Sequence, residues 1–168
     1  MLSGLSIRDM VLIETAELRF EPGLNVLTGE TGAGKSILLD ALGFVLGWRG
    51  RGDLVRAGAD QGEVVAEFRL DEAHPARAVL AGAGLPADDL LLLRRTAGAD
   101  GRRQAWANDR RVTAETVRTL ADTLVELHGQ NDDRGLMDAR GHRGLRPEDV
   151  VDSWLNRTYR QVVLGEWR

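Results

Sequence analysis

Gly29-Glu30-Thr31-Gly32-Ala33-Gly34-Lys35-Ser36 is the stretch whose reading decides the fold. It has the spacing G-x-x-x-x-G-K-[ST], and each fixed position has a physical reason. The glycines let consecutive backbone N–H groups curl toward one anion and form a nest. A helix starting at Ser36 turns its positive end toward the same anion. Lys35 reaches the β- and γ-phosphates of a nucleoside triphosphate, and the Ser36 hydroxyl ligates Mg²⁺. The chemistry requires a strand before the loop and a helix after it. Leu24-Asn25-Val26-Leu27-Thr28 reads as a short apolar strand running into the loop. Ser36 to Leu46 has helical spacing, with Ile37, Leu38, Ala41, Leu42 and Val45 on one side and Gly47 as its stop. The implied class is α/β, a P-loop NTPase.

Working outward, Leu2 to Ile7 and Val11 to Phe20 read as two strands, followed by a turn at Glu21-Pro22-Gly23. Arg49 to Gln61 is a loop rich in glycine and arginine. Val64, Ala66, Phe68 and Leu70 alternate as in a half-buried strand. His74 to Ala83 predicts a short helix, and Leu90 to Arg95 a strand. Gln104 to Ala107 and Arg110 to Thr113 read as hairpin arms around Asn108-Asp109. Thr113 is a natural cap for a helix over Ala114 to Leu120, and Thr123 to Leu127 reads as a last core strand ending at His128-Gly129-Gln130. The paired arginines Arg94-Arg95, Arg102-Arg103 and Arg110-Arg111 read as solvated loop and hairpin residues, with phosphate contact the alternative. After about Arg143 the character shifts: Leu145 to Arg168 holds two of the four tryptophans and the one tyrosine, without an amphipathic period.

Composition removes several functions. The chain has 168 residues, is 43% hydrophobic and 29% charged, and has no cysteine, so disulfide and thiolate chemistry are excluded. His74, His128 and His142 lack ligand spacing. No apolar run reaches the roughly 20 residues needed to cross a membrane, so the expectation is a cytoplasmic protein, nucleoid-associated if it serves DNA. Net charge is −4, which supplies no overall pull toward nucleic acid. Lys35 is the only lysine among 22 Lys and Arg residues, so a lysine stands where a compact ammonium matters.

Gly29 through Ser36, continued by Ile37-Leu38-Leu39-Asp40-Ala41-Leu42, resembles the Walker A segment of the bacterial RecN family, SMC-like ATPases of DNA double-strand break repair and recombination. Leu5-Ser6-Ile7-Arg8-Asp9 with Val11-Leu12-Ile13-Glu14 resembles that family's opening strands, and Arg49 through Arg56-Ala57-Gly58 its arginine-containing loop. Ala107 through Thr113 resembles its hairpin, and Glu126-Leu127-His128-Gly129-Gln130 its Q-loop. The resemblance covers residues 1–143. It implies the N-terminal lobe of an ABC/SMC-type ATPase head, with a mixed β-sheet and the Walker A helix, followed by an atypical tail over 144–168. It implies ATP and Mg²⁺ as cofactors, held by Gly29, Glu30, Thr31, Gly32, Ala33, Gly34, Lys35 and Ser36, with Ser36 and Gln130 serving the metal. Arg56 resembles the family's R-loop arginine, and His128 reads as a packed or capping histidine. The implied partners are the C-terminal lobe of the same head, a second head in a homodimer, and DNA, with no membrane.

A complete site of this type also needs an apolar strand ending in Asp-Glu and a Leu-Ser-Gly-Gly signature from a second head. Val11-Leu12-Ile13-Glu14 lacks the acidic pair, Val162-Val163-Leu164-Gly165-Glu166 is interrupted by glycine, and Leu2-Ser3-Gly4-Leu5 departs from the signature at its fourth position. No catalytic set is complete here, and hydrolysis is expected only with the C-terminal lobe. Two other readings stay open. A small stand-alone P-loop kinase or GTPase is one, although guanine recognition through Asn-Lys-x-Asp is impossible with Lys35 as the sole lysine. A non-catalytic truncated fragment is the other.

Overall fold

The computed structural model describes residues 1–27, 33–48 and 54–125, with the backbone of Val163–Leu164; for Leu27, residues 33–36 and residues 163–164 it describes backbone alone. The elements in chain order are β1 (Leu2–Met10), β2 (Ile13–Arg19), β3 (Val26–Leu27), α1 (Ala33–Val45), β4 (Gln61–Arg69), α2 (Ala76–Gly82), β5 (Leu90–Gly98), β6 (Arg103–Ala107), β7 (Arg110–Arg111), α3 (Ala114–Leu124) and β8 (Val163–Leu164). Six strands form an antiparallel sheet in the order β2-β1-β4-β5-β6-β7, and β3 pairs in parallel with β8. The mixed sheet expected from the sequence is therefore resolved into one antiparallel sheet and a separate parallel pair.

Alternation along the strands creates the core. Leu18, Leu5, Ala66, Leu93 and Ala107 lie opposite one another in register across five strands, and all five are buried. The next row on this face runs Ala16, Ile7, Val64, Arg95, Ala105. One charged residue thus interrupts an apolar row. Onto this face α1 lays Ile37, Leu38, Ala41, Phe44 and Val45, the i, i+3/i+4 stripe of an amphipathic contact. Ala76 and Leu80 of α2 and Val117, Leu120 and Ala121 of α3 are buried beside it. With Phe44, Phe68, Ile7 and Met10 all at most 1% exposed, the described residues enclose a continuous hydrophobic cluster.

Three local expectations change. The first hairpin is longer and tighter than alternation suggested: β1 continues to Met10, and Val11-Leu12 is the turn. Asp9 and Val11 hold positive φ, 48° and 54°, a costly geometry for β-branched valine. The turn is held by contacts distant in sequence, Val11 N–H to Leu54 O at 2.8 Å and Arg56 N–H to Asp9 O at 2.9 Å, which no local pattern reveals. The strand expected over Thr123 to Leu127 begins instead as helix. Val117, Leu120, Ala121 and Leu124 keep one face of α3 on the core, so the helix runs to Leu124 and only Val125 is extended. The remainder of that segment lies outside the described residues. Strand β3 begins at Val26 rather than Leu24, and Thr28 lies outside the described residues.

Other expectations hold. Asn108 and Asp109 both adopt positive φ, 45° and 62°, as a two-residue I′ hairpin turn requires. Thr113 Oγ1 accepts from Thr116 N–H at 3.1 Å and caps α3. Helix α1 ends at Gly47, φ 80°, with Trp48 N–H bonded to Gly43 O and Gly47 N–H to Phe44 O, the Schellman pattern. A side chain at Gly47 would also stand 3.1 Å from Val117 Cγ1, so the same glycine lets α3 approach.

Candidate nucleotide-binding site

The approach to the phosphate loop is built by the turn before β3. Asn25 Oδ1 accepts from Glu21 N–H at 2.9 Å, and its Nδ2 donates to Glu21 O at 2.8 Å and Gly23 O at 3.2 Å. That side chain closes the Glu21-Pro22-Gly23 turn and aims β3 at the loop. A side chain bonding its own neighbouring backbone is an Asx-type signature, a signal available in the sequence and missed there.

Of the loop itself, Gly29, Glu30, Thr31 and Gly32 lie outside the described residues, as do Gln130 and His128. Ala33, Gly34, Lys35 and Ser36 form the first turn of α1, so the helix begins three residues earlier than its apolar spacing alone suggested. The order is then β3, residues 28–32, α1: strand, connection and helix, the arrangement the motif needs. The first turn of α1 itself contains no acidic residue to oppose an anion at its N–H groups. These features fit a nucleotide's phosphates, with Lys35 and Ser36 in the turn nearest to them. The helix is fixed in place by its other turns, where Ile37, Leu38, Ala41, Phe44 and Val45 pack on the sheet.

Arg56 is not free in this structure. Its Nη2 lies 3.1 Å from Glu14 Oε2 and its Nη1 3.6 Å from Asp9 Oδ1, so it clamps the segment after residue 53 to the first hairpin. Of the paired arginines, Arg94 stacks 4.0 Å from the Trp106 ring centroid and ion-pairs with Glu63 at 3.5 Å, while Arg95 reaches into the core face. Arg110 and Arg111 are exposed on the short edge strand β7. Among the described residues no cluster of three His, Cys, Asp or Glu side chains could hold a metal, and no helix is long and apolar enough to span a membrane. His74 does not look toward this site: its Nδ1 accepts from Ala76 N–H at 3.2 Å at the start of α2.

A protein-family model described as an AAA domain matches residues 5–80, which includes the loop. The DNA repair protein RecN of Xylella fastidiosa (strain 9a5c) is 45% identical over 137 residues, covering 82% of this chain and 25% of that protein. RecN of Halalkalibacterium halodurans is 40% identical over 99% of this chain and 31% of its own length, and RecN of Bacillus subtilis 38% identical over 86% and 25%. The chain thus spans between 25% and 31% of the length of these curated relatives. Among solved structures, one described as concerning ATP-driven dimerization and DNA-stimulated activation of SMC ATPases superposes with a TM-score of 0.60 at 22% identity, covering 94% of this chain and 95% of that one. An Smc head bound to the C-winged helix domain of ScpA gives 0.57 at 24% identity, covering 74% and 41%. RecF with ATP gives 0.52 at 18%, covering 67% and 27%. These likenesses establish the fold of an SMC-type P-loop ATPase head.

Proposed function

As a RecN-like segment folded as part of an SMC-type ATPase head, this chain, we propose, supplies the nucleotide-binding half of a DNA-repair ATPase site. The observation that carries this is the placement of Lys35 and Ser36 in the first turn of a helix that follows β3 and has no acid in that turn. The backbone N–H groups of Gly29 through Gly34 cradle the phosphates, and the ammonium of Lys35 neutralises the β- and γ-phosphates. The Ser36 hydroxyl and the Gln130 side chain would hold Mg²⁺, which when bound would supply charge neutralisation at the phosphates.

Residues 1–143 act as one N-terminal lobe on this reading, with 144–168 a tail of separate character. Hydrolysis needs groups that this sequence lacks, an Asp-Glu strand and a signature segment, so the isolated chain binds nucleotide and turns it over slowly or not at all. Two heads sandwich ATP, and DNA is engaged by the whole protein, in the bacterial cytoplasm at the nucleoid. RecN proteins being DNA repair proteins supports that partner choice, and the dimerization of SMC ATPases driven by ATP supports the sandwich. Titration of Mg·ATP into the chain and into its Lys35→Ala variant tests the reading.

A further inference from the structure

Arg95 of β5 stands in the core-facing row between Val64 and Ala105, where the pattern calls for an apolar side chain. It is half-buried there. Burial first, then the charges of Arg103 and Arg118, lower its pKa, so a cation in this row has a cost. Among the described residues no carboxylate lies within ion-pair distance of it. What it faces is the end of α1. Its Nη1 donates to Phe44 O at 2.6 Å, a bond between residues 51 apart in sequence, and its guanidinium lies 4.9 Å from the Phe44 ring centroid. A leucine or methionine would fill the row without the charge. The property that sets arginine apart here is the bond to the helix carbonyl.

The bond matters because of what else holds α1. Phe44 O also accepts from Gly47 N–H at 3.0 Å in the turn that ends the helix, so the arginine takes the second lone pair of that carbonyl. Among the described residues it is the hydrogen bond that joins α1 to the sheet. Leu38, Ala41, Phe44 and Val45 otherwise meet the core through apolar burial. Apolar burial is non-directional and tolerates a small rotation of the helix. A hydrogen bond does not, because it weakens steeply with distance and angle. A helix with its side chains is about 10–12 Å across, so turning it by about 20° moves a side-chain end by about 2 Å. Such a turn would break the Arg95 bond, and it would carry the first turn of α1 round by the same angle. Lys35 lies nine residues before Phe44 on the helix, about 14 Å along the axis. The helix transmits the constraint from one end to the other.

We propose that Arg95 is a positioning residue of the nucleotide site: by holding Phe44 O it fixes the rotation of α1 on the sheet, and with it where Lys35 and Ser36 stand. This rests on the reading of residues 29–36 as the phosphate loop. Arg95 acts through the helix and needs no contact with the nucleotide. Its loss leaves Lys35 and Ser36 in the chain but lets the turn that carries them drift from the place where phosphate is held.

The 168-residue chain, its Arg95→Met variant and its Arg95→Lys variant are compared by melting curve, by Mg·ATP titration and by amide chemical shifts without nucleotide. Methionine replaces a half-buried cation with apolar volume, so Arg95→Met should melt no lower than wild type. It should nevertheless bind Mg·ATP about fivefold more weakly. Arg95→Lys keeps a charged donor for Phe44 O and should recover most of that affinity. In Arg95→Met the amide shifts of Lys35, Ser36 and Ile37 should move, while those of Ser6 and Glu17 on β1 and β2 stay in place. A merely structural arginine would disturb shifts around Phe44 and leave those of Lys35 and Ser36 alone. Wild-type affinity in Arg95→Met would overturn the proposal, as would shifts confined to the neighbourhood of Phe44. A melting temperature that falls with the affinity, without recovery in Arg95→Lys, would also overturn it by making Arg95 a structural residue alone. Wild type that binds no Mg·ATP would remove the nucleotide reading instead, and the shifts of Lys35 and Ser36 would then decide by themselves whether Arg95 positions that turn.

Discussion

The antiparallel sheet and the β3–α1 unit differ in how far the described residues close them. In the sheet, β4 is paired on both sides over nearly its whole length, and its inward side chains Val64, Ala66 and Phe68 are at 0% exposure. In the unit that carries the phosphate loop, β3 contributes two paired residues among those described, and α1 carries apolar side chains on more than one side. One face of α1 is buried on the sheet, while Leu39 on the other is 53% exposed. The sheet is thus a platform, and α1 is an element set on it with Leu39 exposed on its outer side.

The contrast can be broken most forcefully in the sheet. Phe68→Ala should remove about 3–5 kcal/mol, a large part of the roughly 5–15 kcal/mol of a typical domain. Urea unfolding followed by circular dichroism measures it, and a loss under 1 kcal/mol would mean that the platform is not the cooperative unit. A smaller effect comes from His74, at the platform's edge between β4 and α2. Burial first, then the N-terminal ammonium and Arg77, lower its pKa below 6.5, and Asp71 opposes them. The unfolded chain therefore binds more protons near that pH, so this contribution to stability is intact above 6.5 and is lost as pH falls through it. Melting temperatures from pH 7.5 to 5 should fall less steeply for His74→Gln than for wild type; parallel curves would remove His74 from the account. The smallest effect belongs to the open face of α1. Leu39→Gln should change stability by no more than about 0.5 kcal/mol in this chain, and a loss near 2 kcal/mol would show that the face is already covered.

Local chemistry made part of this fold legible. Asn108-Asp109 announces a I′ turn, Thr113 a helix cap and Gly47 a helix stop, because each encodes backbone geometry in one or two residues. Tertiary contacts were not legible. The Val11-Leu12 turn is set by Leu54 and Arg56, and the end of α3 by what it packs on. Asn108 also ties Leu92 N–H and Leu90 O across the sheet, bonds that span 16 and 18 residues. At the site, the order of strand, connection and helix around Lys35 and Ser36 was legible, because the motif fixes both residue type and spacing. Arg95 was not: as one of a pair of arginines it looks solvated, and only the strand register places it on the core face.

Isothermal titration of Mg·ATP into the wild-type chain and Lys35→Ala tests the central claim most directly. A melting curve of each protein checks that both are folded. Wild type should bind with one site per chain, and Lys35→Ala should bind at least about tenfold more weakly, the loss of one charge-assisted contact of roughly 1.5–3 kcal/mol. Equal affinity in the two proteins, with both folded, would contradict the claim that this loop holds the nucleotide.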